Sequence, residues 1–143
     1  MKYKLKIDNT HEEEIIIYAH EVTPVVEEIL SILKGNRSDI IAYTEKGMVK
    51  LSLQEIYCFT IEGKKLYALT ENEKLLIKQR LYQIEELTDN DFLKINQSTI
   101  INIRKIKRFD TSLSGSLLVV LKNGYKDYVS RRQLKFVKER IGL

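Results

Sequence analysis

Residues 1–38 predict a small unit of two strands and one helix. Apolar and basic residues alternate over residues 2–7, and residues 14–18 (EIIIY) form a second apolar run, so both segments predict β-strands. Thr23 and Pro24 combine a helix N-cap with proline at the first helical position. The apolar residues that follow recur with the spacing of one helix face: Val26, Ile29, Leu30 and Leu33. We expect Lys34-Gly35-Asn36 to end the helix.

From residue 40 onward, short apolar runs separated by glycine turns predict an antiparallel β-meander. The runs are IIAY, MVKLS, YCFTI, KLYAL, KIKRF, LLVVL and YKDYV. Turns are predicted at Lys46-Gly47, Glu62-Gly63, Ser114-Gly115 and Asn123-Gly124. The last is the strongest hairpin signal, because both central positions of such a turn need a positive φ. Between the two halves of the meander, a short helix is predicted from Leu76, Ile77, Leu81 and Ile84.

Two polar segments interrupt this pattern. Residues 92–95 predict a short strand, and the polar residues after it predict an exposed corner that precedes a single helical turn: Asn96, Gln97 and Ser98. Ser130 and Gln133 have the spacing of a capping box, so a final helix begins at Ser130. Its buried stripe and its end are predicted at Leu134, Val137, Ile141 and Gly142.

Together these elements predict a β-rich α+β fold with short helices. We place a domain of antiparallel β-structure at residues 39–143, preceded by the strand-strand-helix unit at residues 1–38. A unit this short is too small to be stable alone. We therefore expect it to mediate self-association, which would make the protein a homodimer, or to dock a regulator.

Charge is concentrated at one end of the chain. Residues 92–143 contain 12 basic and 3 acidic residues, a net charge of +9, whereas the whole 143-residue chain has a net charge of +4. Such a concentration is typical of a protein that binds a polyanion, although a solvated basic surface remains an alternative. A single cysteine, no apolar stretch of membrane-spanning length and no signal peptide favour a cytoplasmic protein.

Arg131 and Arg132 are placed against the preference of their helix. Each adds positive charge to a helix N-terminus that is already positive, which costs a few tenths of a kcal/mol. The same arrangement binds phosphate and guanine edges well. Alternatively, both side chains extend into water or pair with Asp127.

The polar corner has a similar pair of interpretations. Amide side chains there can make paired hydrogen bonds to adenine, while nearby cations hold phosphates: Lys94, Arg104 and Lys105. Ordinary turn chemistry explains the same residues without any ligand.

Catalysis is not indicated by any motif. His11 and His20 lack metal-ligand spacing, Cys58 lies in an apolar run typical of a core, and no cofactor motif is present. An RNA-binding or basic protein-interaction module is the remaining alternative, since tyrosines could stack bases.

Two segments carry a family resemblance. FLKINQSTIINIRKIKRF, followed by the Asn123-Gly124 hairpin and YVSRRQLKFVKERIG, resembles the LytTR DNA-binding domain of bacterial transcription regulators over residues 39–143. The match is clearest at Ile101-Asn102 and at Ser130-Arg131-Arg132.

The resemblance implies an elongated fold of antiparallel sheets that sends loops into successive major grooves of double-stranded DNA, at tandem sites. It implies base reading by Gln97, with Asn96 and Ser98 beside it, and by Arg132, with Arg131 adjacent. It also implies phosphate contacts from residues in and around the two matched segments and from the hairpin after Glu62-Gly63. These residues are Lys94, Ser98, Arg104, Lys105, Ser130, Lys64 and Lys65.

The front of the chain departs from many family members, which carry a large receiver domain. Only residues 1–38 precede the domain here, so the chain resembles the small stand-alone members. Some of these are encoded with small membrane proteins that restrain them, which makes such a protein an implied partner.

Overall fold

The computed structural model describes residues 1–34, 39–88 and 90–143. The helices in these ranges are α1 (Pro24–Leu33), α2 (Leu81–Leu87) and α3 (Arg131–Ile141). The strands are β1 (Ile40–Thr44), β2 (Gly47–Leu51), β3 (Cys58–Glu62), β4 (Lys65–Leu69), β5 (Lys74–Ile77), β6 (Phe92–Asn96), β7 (Thr99–Asn102), β8 (Ile106–Thr111), β9 (Leu117–Leu121) and β10 (Lys126–Tyr128). None of the helices in the described part of the chain is long and apolar enough to cross a membrane.

The strands form two antiparallel sheets. One has seven strands in the order β2-β1-β5-β4-β3-β7-β6, and the other has three in the order β10-β9-β8. The β-rich antiparallel fold predicted from the sequence is thereby confirmed. Gly63 and Gly124 adopt φ angles of 62° and 90° in the β3–β4 and β9–β10 turns, a region in which a side chain would be strained. The positive φ predicted for Asn123 was wrong, because only glycines have one in the described chain. Gly124 N donates to Leu121 O, so the turn is centred on Lys122 and Asn123.

Two hydrophobic cores lie on opposite faces of the large sheet. On one face, α2 contributes Leu81 and Ile84 to a core with Phe59 and Ile100. On the other face, the small sheet and α3 pack around a second core that includes Cys58, Ile101, Leu93, Leu121 and Val137. Neighbouring residues of β3 and β7 therefore enter different cores, which explains why both strands are apolar without alternation.

Cys58 is fully buried, and burial raises the pKa of its thiol well above the usual value. The core position predicted for it is confirmed.

The predicted helix α1 is present, with Thr23 as its N-cap: the Thr23 hydroxyl accepts a hydrogen bond from Val26 N at 3.3 Å. The helix ends at Leu33 with Lys34 as its C-cap. Gly35 and Asn36 lie outside the described residues, as does the predicted unit boundary at residue 38.

The strands predicted at residues 2–7 and 14–18 are not formed, so that prediction was wrong for the described chain. Residues 2–7 have the alternation of a strand and residues 14–18 are an apolar run, but neither pattern supplies the partner whose backbone groups complete a sheet.

The helix predicted from Leu76 to Ile84 was half wrong. Leu76 and Ile77 belong to β5, which pairs with β4 in the register Leu66↔Ile77, and the helix begins only at Leu81. Short apolar runs fit both periods, and the distant partner strand decides between them.

Candidate nucleic-acid interface

Neighbouring strands bring two of the predicted contact turns together. β3 and β7 are antiparallel with Thr60 opposite Thr99, so the β3–β4 turn lies beside the β6–β7 turn. Ile61 N donates to Ser98 O at 2.9 Å, which joins the two turns directly. Lys64 and Lys65 are exposed at the first turn, and Gln97 and Ser98 are exposed at the second.

The start of α3 is attached to the same edge. Ser130 N donates to Ile95 O at 2.9 Å, one residue before the predicted corner. Three segments that are far apart in the sequence therefore meet at one edge of the fold.

Asn96 fastens the β6–β7 turn to the entry of α3. Its Nδ2 donates to Tyr128 O at 2.8 Å, and its Oδ1 accepts from Ser98 N at 2.8 Å. One donor and one acceptor site of the amide are thus already used within the protein, which favours a positioning role over the base-reading role expected for Asn96.

Gln97, Arg131 and Arg132 present their polar groups to solvent. All three are exposed, and within the described ranges no hydrogen bond or ion pair engages their side chains. The alternative in which the arginines pair with Asp127 is not formed. The Asp127 carboxylate instead accepts from Thr99 Oγ1, Tyr125 OH and Tyr128 N.

Ser130 is the N-cap residue of α3, but the predicted capping box is wrong. Its side chain makes no cap hydrogen bond, and Gln133 N donates instead to Ser130 O at 3.1 Å. The Ser130 hydroxyl is therefore available to a ligand beside two guanidinium groups.

Arg104 and Lys105 are placed away from this edge. They lie in the 3-10 turn after β7, so the whole strand, about 13 Å at the usual rise, separates them from Ser98. Arg104 Nε bonds to Asp91 Oδ2 at 2.9 Å, and Lys105 Nζ lies 4.9 Å from the centre of the Tyr57 ring. Lys94 is half-buried on β6, between the two ends.

Asn102, the asparagine of the matched Ile101-Asn102 segment, holds this second end in place. It is buried, its Nδ2 donates to Ile56 O at 2.9 Å, and its Oδ1 accepts from Arg104 N at 3.0 Å. The motif residue is therefore structural.

A polar cluster lies directly beneath the edge where these three segments meet, and it joins the two sheets. Thr60 Oγ1 lies 2.9 Å from Thr99 Oγ1 and 3.1 Å from Tyr125 OH, and Thr99 Oγ1 donates to Asp127 Oδ2 at 2.7 Å. Burial raises the pKa of Tyr125 to about 12, opposed by the threonine hydrogen bonds, so its hydroxyl remains a donor at physiological pH.

Local sequence carries only a weak signal for this cluster. Thr60 stands inside an apolar run and Thr99 stands at the start of one. A buried polar residue there needs a partner, but the partner strand cannot be read from local sequence.

Comparison with known proteins points to one family. The family model for the LytTr DNA-binding domain matches residues 46–142. An uncharacterized HTH-type transcriptional regulator of Staphylococcus aureus strain NCTC 8325 is 29% identical over 146 aligned residues, which cover 100% of this chain and 99% of the relative. A counterpart in strain MSSA476 is 28% identical over the same coverage.

A solved LytTr DNA-binding domain from Bacillus cereus superposes with a TM-score of 0.70 at 21% identity, over 75% of this chain and 99% of that one. The relatives' names refer to a helix-turn-helix, yet in the described part of this chain strands separate each helix from the next. The fold and the matched residues agree on one assignment: the chain belongs to the LytTR family of DNA-binding domains.

Proposed function

We propose that this protein is a transcriptional regulator that reads the sequence of double-stranded DNA with the edge formed by the β3–β4 turn, the β6–β7 turn and the start of α3. The observation that carries the proposal is the convergence of these three segments, with Gln97 and Arg132 exposed and unengaged among the described residues. The protein acts by binding alone, without catalysis.

Base reading falls to Gln97 and Arg132. An arginine fork suits the O6 and N7 acceptors of guanine, and a glutamine amide suits the N6 and N7 groups of adenine. Arg131 supports Arg132 at the helix start. Asn96 holds the turn in place through Tyr128, so that the two reading side chains keep a fixed separation.

Phosphate contacts surround these two positions. At the edge itself they come from Ser98, Ser130, Lys64 and Lys65, with Lys94 beside it. Arg104 and Lys105 serve a different stretch of backbone, since β7 separates them from the edge.

The remaining features of the proposal rest on the sequence. We propose a cytoplasmic homodimer that binds tandem sites, with residues 1–38 providing the self-association. A small membrane protein that restrains the regulator is a further proposed partner, and it rests on the family resemblance alone.

Selection from a random duplex library tests the function. We expect a consensus to emerge, and the selected duplex to bind at least about 10³-fold more tightly than a scrambled one of equal length. Its separated strands and an RNA of the same sequence should bind no better than the scrambled duplex. Equal or tighter binding of single strands or RNA would favour the RNA-binding alternative instead.

A further inference from the structure

The N-terminal unit, defined here as residues 1–34, exposes far more apolar surface than its length warrants. Eleven of the twenty exposed large hydrophobic side chains in the described chain lie in it: Met1, Tyr3, Leu5, Ile7, Ile15, Ile16, Tyr18, Val22, Val25, Ile32 and Leu33. Neither hydrophobic core of the described chain includes any of its residues, and Val26 is the one buried residue of α1. A concentration of this kind marks an interaction surface.

An open groove runs between α1 and the extended segment before it. Its volume is about 460 Å³, and its apolar lining comes from Ile15 and Ile17 on one side and from Val26, Leu30 and Leu33 on the other. Ile16 and Tyr18 do not line the groove and are 61% and 92% exposed. The segment thus keeps the two-sided alternation of a strand.

The backbone of this segment also lacks a partner. Residues 12–19 are in neither helix nor strand, and their main-chain amides donate to no main-chain carbonyl of the described chain. An extended segment with free backbone groups and alternating apolar side chains accepts an added strand.

We propose that two copies of this chain pair through their N-terminal units, with residues 2–6 of each copy adding as an antiparallel strand to residues 14–18 of the other. The inference refines the homodimer of the proposed function and identifies its interface. In this register Leu5 faces Ile15 and Tyr3 faces Ile17, so the added strand fills the groove.

Charge supports the same pairing. The added strand carries Lys2, Lys4 and Lys6, whereas the receiving segment begins with Glu14 and is preceded by Glu12 and Glu13. The proposed register places Lys6 opposite Glu14, an opposite-charge pair of the kind that favours cross-strand pairing. An arrangement with the two copies of residues 2–6 beside each other would oppose lysine to lysine.

A second copy accounts for more of the exposed surface than a hairpin within one chain. A hairpin across the turn at Asp8 would cover the groove but leave Ile16, Tyr18, Val25 and Ile32 in water. Reciprocal exchange about a two-fold axis forms the contact twice and places the two units next to each other. It also joins two units that are each too small to be stable alone.

Cross-linking between differently marked chains tests the pairing. Full-length Leu5→Cys protein is mixed with Ile15→Cys protein that carries a size tag, and the mixture is mildly oxidised. Native Cys58 is fully buried, so it does not compete. We expect the mixed disulfide to form at least tenfold more than with Leu113→Cys, an exposed position in the β8–β9 hairpin. A yield equal to that of the Leu113→Cys control would overturn the proposal.

Sedimentation equilibrium provides the second measurement. The wild-type chain should be a dimer, Leu5→Lys should be a monomer, and Leu113→Lys should remain a dimer. A monomeric wild type, or a dimeric Leu5→Lys, would overturn the proposed interface. Recognition of a single half-site by Gln97 and Arg132 should be unaffected in every case, so failure of the dimer is distinguishable from failure of DNA reading.

Discussion

Removing the Asn96 amide should loosen the two segments proposed to read bases, the β6–β7 turn and the start of α3, relative to each other. Asn96→Ala deletes the hydrogen bonds to Tyr128 O and from Ser98 N, both 2.8 Å long. A typical intramolecular hydrogen bond contributes about 0.5 to 1.5 kcal/mol, so the restraint is worth about 1 to 2 kcal/mol at this partly exposed site. Only those protein molecules in which the two segments keep the correct relative position bind tightly. The affinity for the selected duplex should therefore fall by about 5- to 30-fold if the whole restraint is lost.

Asn123→Ala is the matched control. Asn123 makes the same two kinds of hydrogen bond in the β9–β10 turn. Its Nδ2 donates to Thr70 O at 3.0 Å, and its Oδ1 accepts from Tyr125 N at 3.1 Å. Both variants should lose similar stability in a denaturant titration. Only Asn96→Ala should lose discrimination between the selected and the scrambled duplex.

A double-mutant cycle separates positioning from direct base reading. If Asn96 acts by placing Arg132, the effect of Asn96→Ala should shrink in an Arg132→Ala background, with an interaction energy above about 0.5 kcal/mol. Additive effects, together with a loss confined to one base pair, would refute the positioning role and restore Asn96 as a base reader.

Three other properties should change in defined ways. Binding should weaken steeply with salt, and Lys105→Ala should flatten the slope of log K against log salt by about one unit, measured by fluorescence anisotropy. An unchanged slope would remove Lys105 from the interface. The raised pKa of Tyr125 means that the unfolded chain releases this proton near pH 10 and the folded chain only near pH 12. Stability is therefore lost as the pH rises through this window. Over this pH window, the free energy of unfolding of the wild type should fall by about 1 kcal/mol more than that of Tyr125→Phe, after allowance for solvent screening of the half-buried group. Equal losses in both proteins would show that Tyr125 titrates normally. Gln97→Ala should weaken recognition at a base pair different from that affected by Arg132→Ala, in the same competition assay, and overlapping effects would contradict the separate placement of the two side chains.

The turns and the start of α1 could be predicted from the sequence, whereas the order of the strands could not. The glycine turns at Gly63 and Gly124 and the start of α1 at Thr23 depend on φ preferences and capping within a few residues. All three lie at the predicted positions, although Asn123 lacks the positive φ expected for it. The sheet order was beyond reach, because β5 is inserted between β1 and β4 by long-range pairing that leaves no local trace.

The candidate site shows the same division. The family resemblance located Gln97 and Arg132, whose side chains are exposed and unengaged in the described chain. It could not show that Asn96 is bonded to the distant Tyr128, or that Ser130 caps α3 without its hydroxyl. Those features depend on how two sheets meet. Residues 2–7 and 14–18 are the opposite case, where the sequence pattern predicts strands and the described chain forms none.

Competition binding with single-base-pair variants of the selected duplex tests base reading by the α3 start most directly. A bidentate arginine contact to guanine is worth about 1 to 3 kcal/mol, so Arg132→Ala should lower affinity for the selected duplex by roughly 5- to 150-fold. It should leave binding to scrambled duplex nearly unchanged and remove the preference at one base pair. Lys138→Ala, which deletes an exposed cation from the last turn of the same helix, should preserve that preference. An equal loss of selected and scrambled binding in Arg132→Ala would show that Arg132 only holds phosphate.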